Sequence, residues 1–202
     1  MFAKNTDTSS FEELEKFLDE SIKDRCEGLM VKTLNVNSTY EPSKRSFNWL
    51  KLKKDYLDTS MGDSVDLCVV GADYGQGKRA GWFGSYLMAC WNDDLGCFQT
   101  VCKVGTGLSD EMLAKAKAQL EPFIINAPPS NVKANLKMSQ VKCDVYFEPK
   151  FVWEIKAADL SVSPMHTAAF GSIEAEKGIA LRFPRMIRER DDKRPDECTN
   201  SE

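Results

Sequence analysis

The sequence predicts an α+β chain that is mostly β: an amphipathic helix with two short strands, then a small β-barrel interrupted by one helix. Three observations carry this. Apolar residues recur at helical spacing in only two segments, and most of the remainder falls into short alternating or continuous apolar runs separated by Gly, Asn and Asp. Periodicity fades between Asp55 and Asp63, where Gly62 and several short polar residues mark a hinge or domain boundary. At 202 residues, 42% hydrophobic and 29% charged, the chain can bury a core of one domain or one and a half. That composition excludes a disordered tail, a collagenous repeat and a disulfide-knotted scaffold.

The elements follow in order. Ser10 with Glu13 three residues on is a capping-box signature, and Phe11, Leu14, Leu18 and Ile22 share one face, so about Ser10 to Asp24 reads as an amphipathic helix. Leu29-Met30-Val31-Lys32-Thr33-Leu34 is too short for a helix and reads as a strand buried on both faces. A polar loop containing Pro42 runs from Asn35 to Ser46. Phe47 to Lys53 then alternates, setting Trp49, Lys51 and Lys53 on one face and Leu50 and Leu52 on the other. Beyond the boundary, Val65 to Val70, Gly84 to Trp91 and Phe98 to Val104 read as strands, and Ser109 to about Pro122 as a helix with Leu113, Ala116 and Leu120 on a face. Strands resume over Val141 to Phe147, Phe151 to Ile155 and Ile179 to Ile187. About five strands with one helix between the third and fourth is the layout of an OB-type barrel, although pattern alone leaves other small barrels open.

Several function classes are set aside by composition. The longest apolar stretches fall short of the roughly 18 to 20 residues that span a bilayer, and Met1-Phe2-Ala3-Lys4 opens onto polar residues, so the expectation is a soluble, intracellular chain with no membrane partner. Seven cysteines, odd in number and without C-x-x-C, and the single His166 give no usual Cys/His zinc set; the thiols are expected to be reduced and structural. A net charge of -4 argues only weakly against a polyanionic partner, because binding depends on where the charge sits.

Three motifs remain. In Gly75-Gln76-Gly77-Lys78-Arg79-Ala80-Gly81, Ala72 stands where a P-loop needs its first glycine and Arg79 replaces the hydroxyl that would hold magnesium. The same glycines fit a loose dinucleotide pattern, but no helical periodicity follows to receive a pyrophosphate. A hairpin connection with Lys78 and Arg79 at its tip, able to touch phosphates, is the simpler reading. Lys51 and Lys53, taken alone, are the solvent face of an ordinary strand; with Glu27 and Lys32 flanking the neighbouring strand, one carboxylate and three ammonium groups can converge on a phosphate and its metal. The densest basic run, Arg182 to Arg194, reads either as an edge strand with gatekeeper arginines and Pro184, or as a phosphate-contacting strand with Phe183 as a wedge into a nucleic-acid groove.

Taken in order, Cys26-Glu27-Gly28-Leu29-Met30-Val31-Lys32, Ser46-Phe47-Asn48-Trp49-Leu50-Lys51-Leu52-Lys53-Lys54-Asp55-Tyr56, and Arg182-Phe183-Pro184-Arg185 through Arg190-Asp191-Asp192-Lys193 resemble motifs IV, V and VI of the ATP-dependent DNA ligases, in their eukaryotic branch. The resemblance continues through Gly77-Lys78-Arg79-Ala80-Gly81, Cys102-Lys103-Val104-Gly105-Thr106-Gly107 and Val152-Trp153-Glu154-Ile155-Lys156-Ala157-Ala158-Asp159-Leu160-Ser161, and so covers nearly the whole chain. The mRNA-capping guanylyltransferases share the two-domain plan but fit the Trp49 to Tyr56 and Arg182 to Arg185 runs less well.

The resemblance implies that residues 1–58 are the C-terminal part of a nucleotidyltransferase (adenylation) domain and residues 59–202 an OB-fold domain. It implies ATP and Mg²⁺ as cofactors, with Glu27 on the metal and Lys32, Trp49, Lys51, Lys53, Arg190, Asp192 and Lys193 on the nucleotide. It places Arg182 and Phe183 in the DNA minor groove, and the charge reading adds Lys78, Arg79 and Arg185 to the DNA contacts. Implied partners are nicked duplex DNA and upstream adenylation and DNA-binding domains, in nuclear DNA replication, repair and recombination. The family's nucleophilic lysine sits in a K-x-D-G motif, which occurs nowhere in these residues, so this chain alone is expected not to complete catalysis. The alternative is a non-catalytic DNA-binding OB-fold module.

Overall fold

The computed structural model describes residues 3–24, 26–44, 46–53, 64–132 and 141–201; the expected hinge at 55–63 lies outside them. The chain divides into two compact units, Met1–Ser60 and Met61–Glu202.

In the first unit, α1 (Phe11–Lys23) starts where Ser10 accepts the Glu13 backbone N–H at 3.4 Å. The capping box is only half built, because the Glu13 carboxylate takes the Thr8 hydroxyl, while Ser10 N–H donates to Thr8 Oγ1 at 2.9 Å. β1 (Gly28–Lys32) and β2 (Trp49–Lys53) form a two-stranded antiparallel ladder, with α1 beside β1. β1 is not buried on both faces as its apolar run suggested: Met30 is 45% exposed. A strand with one ladder partner and one helix for cover has too little around it to hide two faces. Leu18 is the one fully buried apolar side chain among the described residues of this unit.

The second unit is built on a sheet of order β11-β8-β3-β4-β5, with β7 pairing β3 and β6. Its strands are β3 (Val65–Tyr74), β4 (Phe83–Asn92), β5 (Cys97–Val104), β6 (Ile124–Ile125), β7 (Val145–Phe147), β8 (Val152–Lys156) and β11 (Arg185–Glu189). A second ladder pairs β9 (Asp159–Ser163) with β10 (Gly178–Arg182), which lies beside β5. The Met186 N–H donates to the Thr106 carbonyl at 3.0 Å, joining the last strand to the segment after β5 and closing the barrel. Helix α2 (Asp110–Leu120), capped by Ser109, puts Leu113, Ala116 and Leu120 into the same core as Leu67, Val69, Phe83, Tyr86, Phe147 and Trp153. This is the OB-type barrel expected, with the helix between the third and fourth long strands, and the whole is α+β and mostly β.

Departures from the expected elements have local causes. β3 is apolar on both faces because its outer residues Cys68 and Val70 join Leu87, Ala89 and Phe98 in a second core beneath Val132, Val141 and Cys198. That packing draws Val141 out of the expected strand, leaving only Val145–Phe147. The run from Ile179 to Ile187 splits into β10 and β11 at Phe183, which has φ +53°, and Pro184, which has no N–H to give a ladder. All seven cysteines are free thiols. Burial pushes Cys90 and Cys102 up to about 12, so they are inert packing groups.

Candidate functional site

Antiparallel register decides what the first unit presents. Gly28 faces Lys53, Met30 faces Lys51 and Lys32 faces Trp49, so these six residues share one face, and Leu29, Val31, Leu50 and Leu52 the other. Lys32 Nζ stands 4.2 Å from the centre of the Trp49 ring, a cation–π contact, and Tyr40 leans on the same indole with centroids 5.6 Å apart. Lys53 Nζ lies 3.1 Å from Glu27 Oε2. Gly28 allows this close approach: a Cβ on it would fall 2.1 Å from the Leu52 carbonyl oxygen. The structure thus gathers Glu27, Lys32, Trp49, Lys51 and Lys53 on one small surface, a concentration of positive charge beside one carboxylate.

That donor set fits a divalent cation in one way only. Among the described residues no three His, Cys, Asp or Glu side chains cluster to cage a metal. Mg²⁺ needs no such cage: it is commonly held by one or two carboxylates, with water and substrate phosphate oxygens completing an octahedron. Glu27 can supply such a carboxylate and the surrounding ammonium groups can hold the phosphates.

In the second unit the expected nucleic-acid contacts meet at one end of the barrel. Lys78 is exposed in the 3₁₀ turn Gly77–Arg79 that joins β3 to β4. Arg79 turns inward, its Nη1 donating to the carbonyl of Gly105 at 2.8 Å and of Gly84 at 3.4 Å. Next in the chain, Thr106 Oγ1 donates to the Pro184 carbonyl at 2.8 Å, tying the turn that carries Arg182, Phe183 and Arg185 to the same corner. Arg182 lies 4.9 Å from the Phe183 ring centre, and Phe183 is 44% exposed with its backbone in the left-handed region. An aromatic residue held there before a proline is a strained position, and such strain concentrates where a side chain must be presented.

At the other end of β11 the three remaining predicted residues are bound into one network. Arg190 donates through Nε and Nη2 to the two oxygens of Asp192, both at 2.8 Å, and through Nη1 to both oxygens of Asp66 at 2.9 and 2.8 Å. Lys193 Nζ donates to Asp66 Oδ2 at 2.6 Å. The bonds to Arg190 hold the Asp192 carboxyl far below the usual carboxylate range, and Asp192 raises Arg190 in return. A cleft of about 250 Å³ opens alongside, lined by the cations Lys150, Arg190 and Lys193, the carboxylates Glu189 and Asp191, and Gln119 and Trp153 among others. Asp66 was not among the residues expected from sequence. Its signal was a carboxylate inside the apolar run Val65-Asp66-Leu67-Cys68-Val69-Val70, where a charge is costly unless paired.

Residues 79–193 match the family model described as ATP dependent DNA ligase C terminal region, and residues 1–53 match the ATP dependent DNA ligase domain. The chain belongs to the ATP-dependent DNA ligase family. All of this ligase chain aligns with "DNA ligase 1" of Dictyostelium discoideum at 51% identity over 201 residues, 16% of that protein's length. It aligns equally well, 51% over 202 residues, with "DNA ligase 1" of Saccharomyces cerevisiae, covering 26% of it. The chain therefore spans about a quarter or less of the length of these curated relatives. Among solved structures, the ligase domain of M. tuberculosis LigD covers 92% of this chain, with 51% of that chain matched, a TM-score of 0.54 and 25% identity. Among the described residues, no helix is long and apolar enough to cross a membrane.

Proposed function

We propose that this ligase chain takes part in sealing nicks in duplex DNA, acting in nuclear DNA replication, repair and recombination. In this reading residues 1–58 are the last part of an adenylation domain and residues 59–202 the OB-fold domain. The observation that carries it is the single face of β1 and β2 on which Lys32, Trp49, Lys51 and Lys53 stand beside Glu27.

Such a surface suits the chemistry of nucleotidyl transfer, in which positioning and charge neutralisation supply most of the rate. Trp49 offers a flat apolar flank, and Lys51 and Lys53 offer ammonium groups to the phosphates of ATP. Glu27 would hold Mg²⁺, which when bound neutralises charge on the phosphate oxygens. Arg190, Asp192 and Lys193 face the leaving pyrophosphate. Lys78, Arg182 and Arg185 contact the DNA backbone, Arg79 braces the corner beneath them through the Gly84 and Gly105 carbonyls, and Phe183 enters the minor groove beside the nick. Three steps then follow the family chemistry: AMP moves from ATP to a lysine, from the lysine to the DNA 5′-phosphate, and is displaced by the 3′-hydroxyl.

The 202 residues contain no K-x-D-G motif, so the nucleophilic lysine has to come from an adenylation segment outside them. Incubation with α-labelled ATP, Mg²⁺ and nicked duplex tests this directly. This chain alone is expected to give neither protein-bound AMP nor sealed product, and fusion to an upstream segment carrying K-x-D-G is expected to give both. Labelling of the 202 residues alone would reveal another lysine acting as nucleophile and overturn the assignment. A second reading, a non-catalytic DNA-binding module, is favoured by the strained, partly exposed Phe183 between Arg182 and Arg185. It predicts salt-sensitive binding to nicked duplex by the chain alone.

A further inference from the structure

Among the described residues Asp66 is the only buried carboxylate, 8% exposed, and it lies on β3, on the same face as Cys68 and Val70. A buried negative charge persists only where cations and hydrogen bonds compensate it. Here the compensation is complete on one side: Arg190 Nη1 reaches both oxygens and Lys193 Nζ reaches Oδ2. The backbone is held as well. The Asp66 N–H donates to Thr199 Oγ1 at 2.9 Å, and the Asp66 carbonyl accepts the Thr199 N–H at 2.8 Å. Thr199 is itself fixed by its carbonyl, which accepts the Trp91 N–H at 3.1 Å. Asp66 is therefore an immobile anion.

The two carboxylates on Arg190 are not equivalent. Asp66 takes one edge of the guanidinium from inside the fold, whereas the Asp192 side chain, on the Nε and Nη2 edge, is 56% exposed. An incoming anion can displace Asp192 and take over two parallel N–H donors, while Asp66 keeps the plane of the guanidinium fixed. Flexible Arg and Lys side chains lose rotamer entropy when they bind, and prior fixation removes part of that cost.

We propose that Asp66 is a positioning residue that presets Arg190 and Lys193 for a phosphate ligand in the adjoining cleft, holding both cations by charge rather than by packing. The ligand assignment rests on the proposed role of Arg190 and Lys193 as pyrophosphate contacts. The proposition about Asp66 does not reduce to it, because the fixation of Arg190 can be observed without any ligand.

The test is a calorimetric titration of this chain with inorganic pyrophosphate, together with nuclear magnetic resonance of the Arg190 guanidinium. Wild type is expected to show separately resolved Nη signals for Arg190, its rotation arrested by the two carboxylates. Asp66→Asn, verified as folded by its backbone amide spectrum, leaves Asp192 alone on the guanidinium and is expected to exchange those signals measurably faster than wild type and to weaken pyrophosphate binding about tenfold, the scale of a lost charged hydrogen bond; an unchanged exchange rate would overturn the positioning role. Unchanged or tighter binding by a folded Asp66→Asn would overturn the proposal, since Asp66 would then be idle or competing with the ligand. Averaged Nη signals in wild type would overturn it without recourse to any variant, which covers the case in which Asp66→Asn does not fold. Wild type that fails to bind pyrophosphate refutes the ligand assignment; arrested Nη signals that exchange faster in Asp66→Asn would still uphold the positioning role.

Discussion

Phe183 offers a perturbation in which the consequences for stability and for DNA binding can be read separately. Its φ of +53° lies in the left-handed region, which costs an L-residue about 1–2 kcal/mol, and the following Pro184 narrows its conformations further. Phe183→Ala and Phe183→Gly both remove the ring, so they lose the same contacts to Arg182 and to DNA. Only glycine releases the backbone. Against that gain stands the extra freedom glycine brings to the unfolded chain, about 0.4–1 kcal/mol, which leaves Phe183→Gly roughly 1 kcal/mol more stable than Phe183→Ala. For a unit of this size that is about 4 °C in Tm. An aromatic side chain stacked on a base contributes about 1–3 kcal/mol, so both variants should bind nicked duplex about fivefold or more weakly than wild type in fluorescence anisotropy. Equal melting temperatures for the two variants would refute the strain argument. Wild-type DNA affinity in both would refute the wedge.

Other predictions follow from the same structure. In a protein completed by an upstream K-x-D-G segment, Lys32→Ala and Lys51→Ala should each reduce lysine-AMP formation by about tenfold or more, in line with loss of one charged phosphate contact; normal labelling in both would remove these lysines from the site. His166, half-buried with its Nδ1 covered and unpartnered, is held down at about 4 by burial and by the nearby Lys103 charge. The unfolded chain takes up this proton near 6.5 and the folded one not until about 4. Stability should therefore be level in this term above pH 6.5 and fall by up to about 3 kcal/mol as pH drops to about 4. Denaturation of His166→Asn across that interval should show a flatter profile, and an unchanged slope would assign the acid sensitivity elsewhere. Hydrogen exchange should protect the barrel amides far more than those of α1, β1 and β2, because among the described residues of the first unit only Leu18 is fully buried and Phe47 is 92% exposed; equal protection in the monomer would contradict this.

The sequence was most legible where one periodicity ran without interruption. Ser10 to Asp24 and Ser109 to Pro122 announced their helices through spacing and caps, and the alternation of Trp49, Lys51 and Lys53 was enough to put them on one face. Register was another matter. That Lys32 stands over Trp49 and that Lys53 meets Glu27 follows from a ladder pairing Lys32 with Trp49, which no local pattern states. β9 was missed because Leu160 and Val162 alternate with serine over only five residues, and its partner β10 lies beyond an intervening loop. Asp66 was hidden for a related reason: its partners Arg190 and Lys193 are 124 and 127 positions away, so the pairing that makes a buried carboxylate tolerable is invisible locally. Arg79 looked like a loop cation aimed outward, whereas two glycine carbonyls at the barrel corner give its guanidinium closer partners.

One strand joins the two candidate surfaces of the barrel, and its length decides whether they can be separated by mutation. Arg185 and Arg190 stand five residues apart along β11 and its continuation, about 17 Å at the rise of an extended chain. That exceeds the screening length of about 8 Å at physiological ionic strength, so a charge removed at one end is little felt at the other. Arg182→Ala should therefore weaken nicked-duplex binding and reduce the salt slope of log Kobs by about one, the share of a single phosphate contact, while leaving pyrophosphate binding within about twofold of wild type. Arg190→Ala should do the reverse. The comparison is informative because a general loss of folding would depress both affinities together, and a single continuous anion site would make each arginine contribute to both ligands. Parallel loss of both affinities in folded Arg182→Ala and folded Arg190→Ala would show that the two ends of β11 form one surface, and the division of labour between them would have to be abandoned.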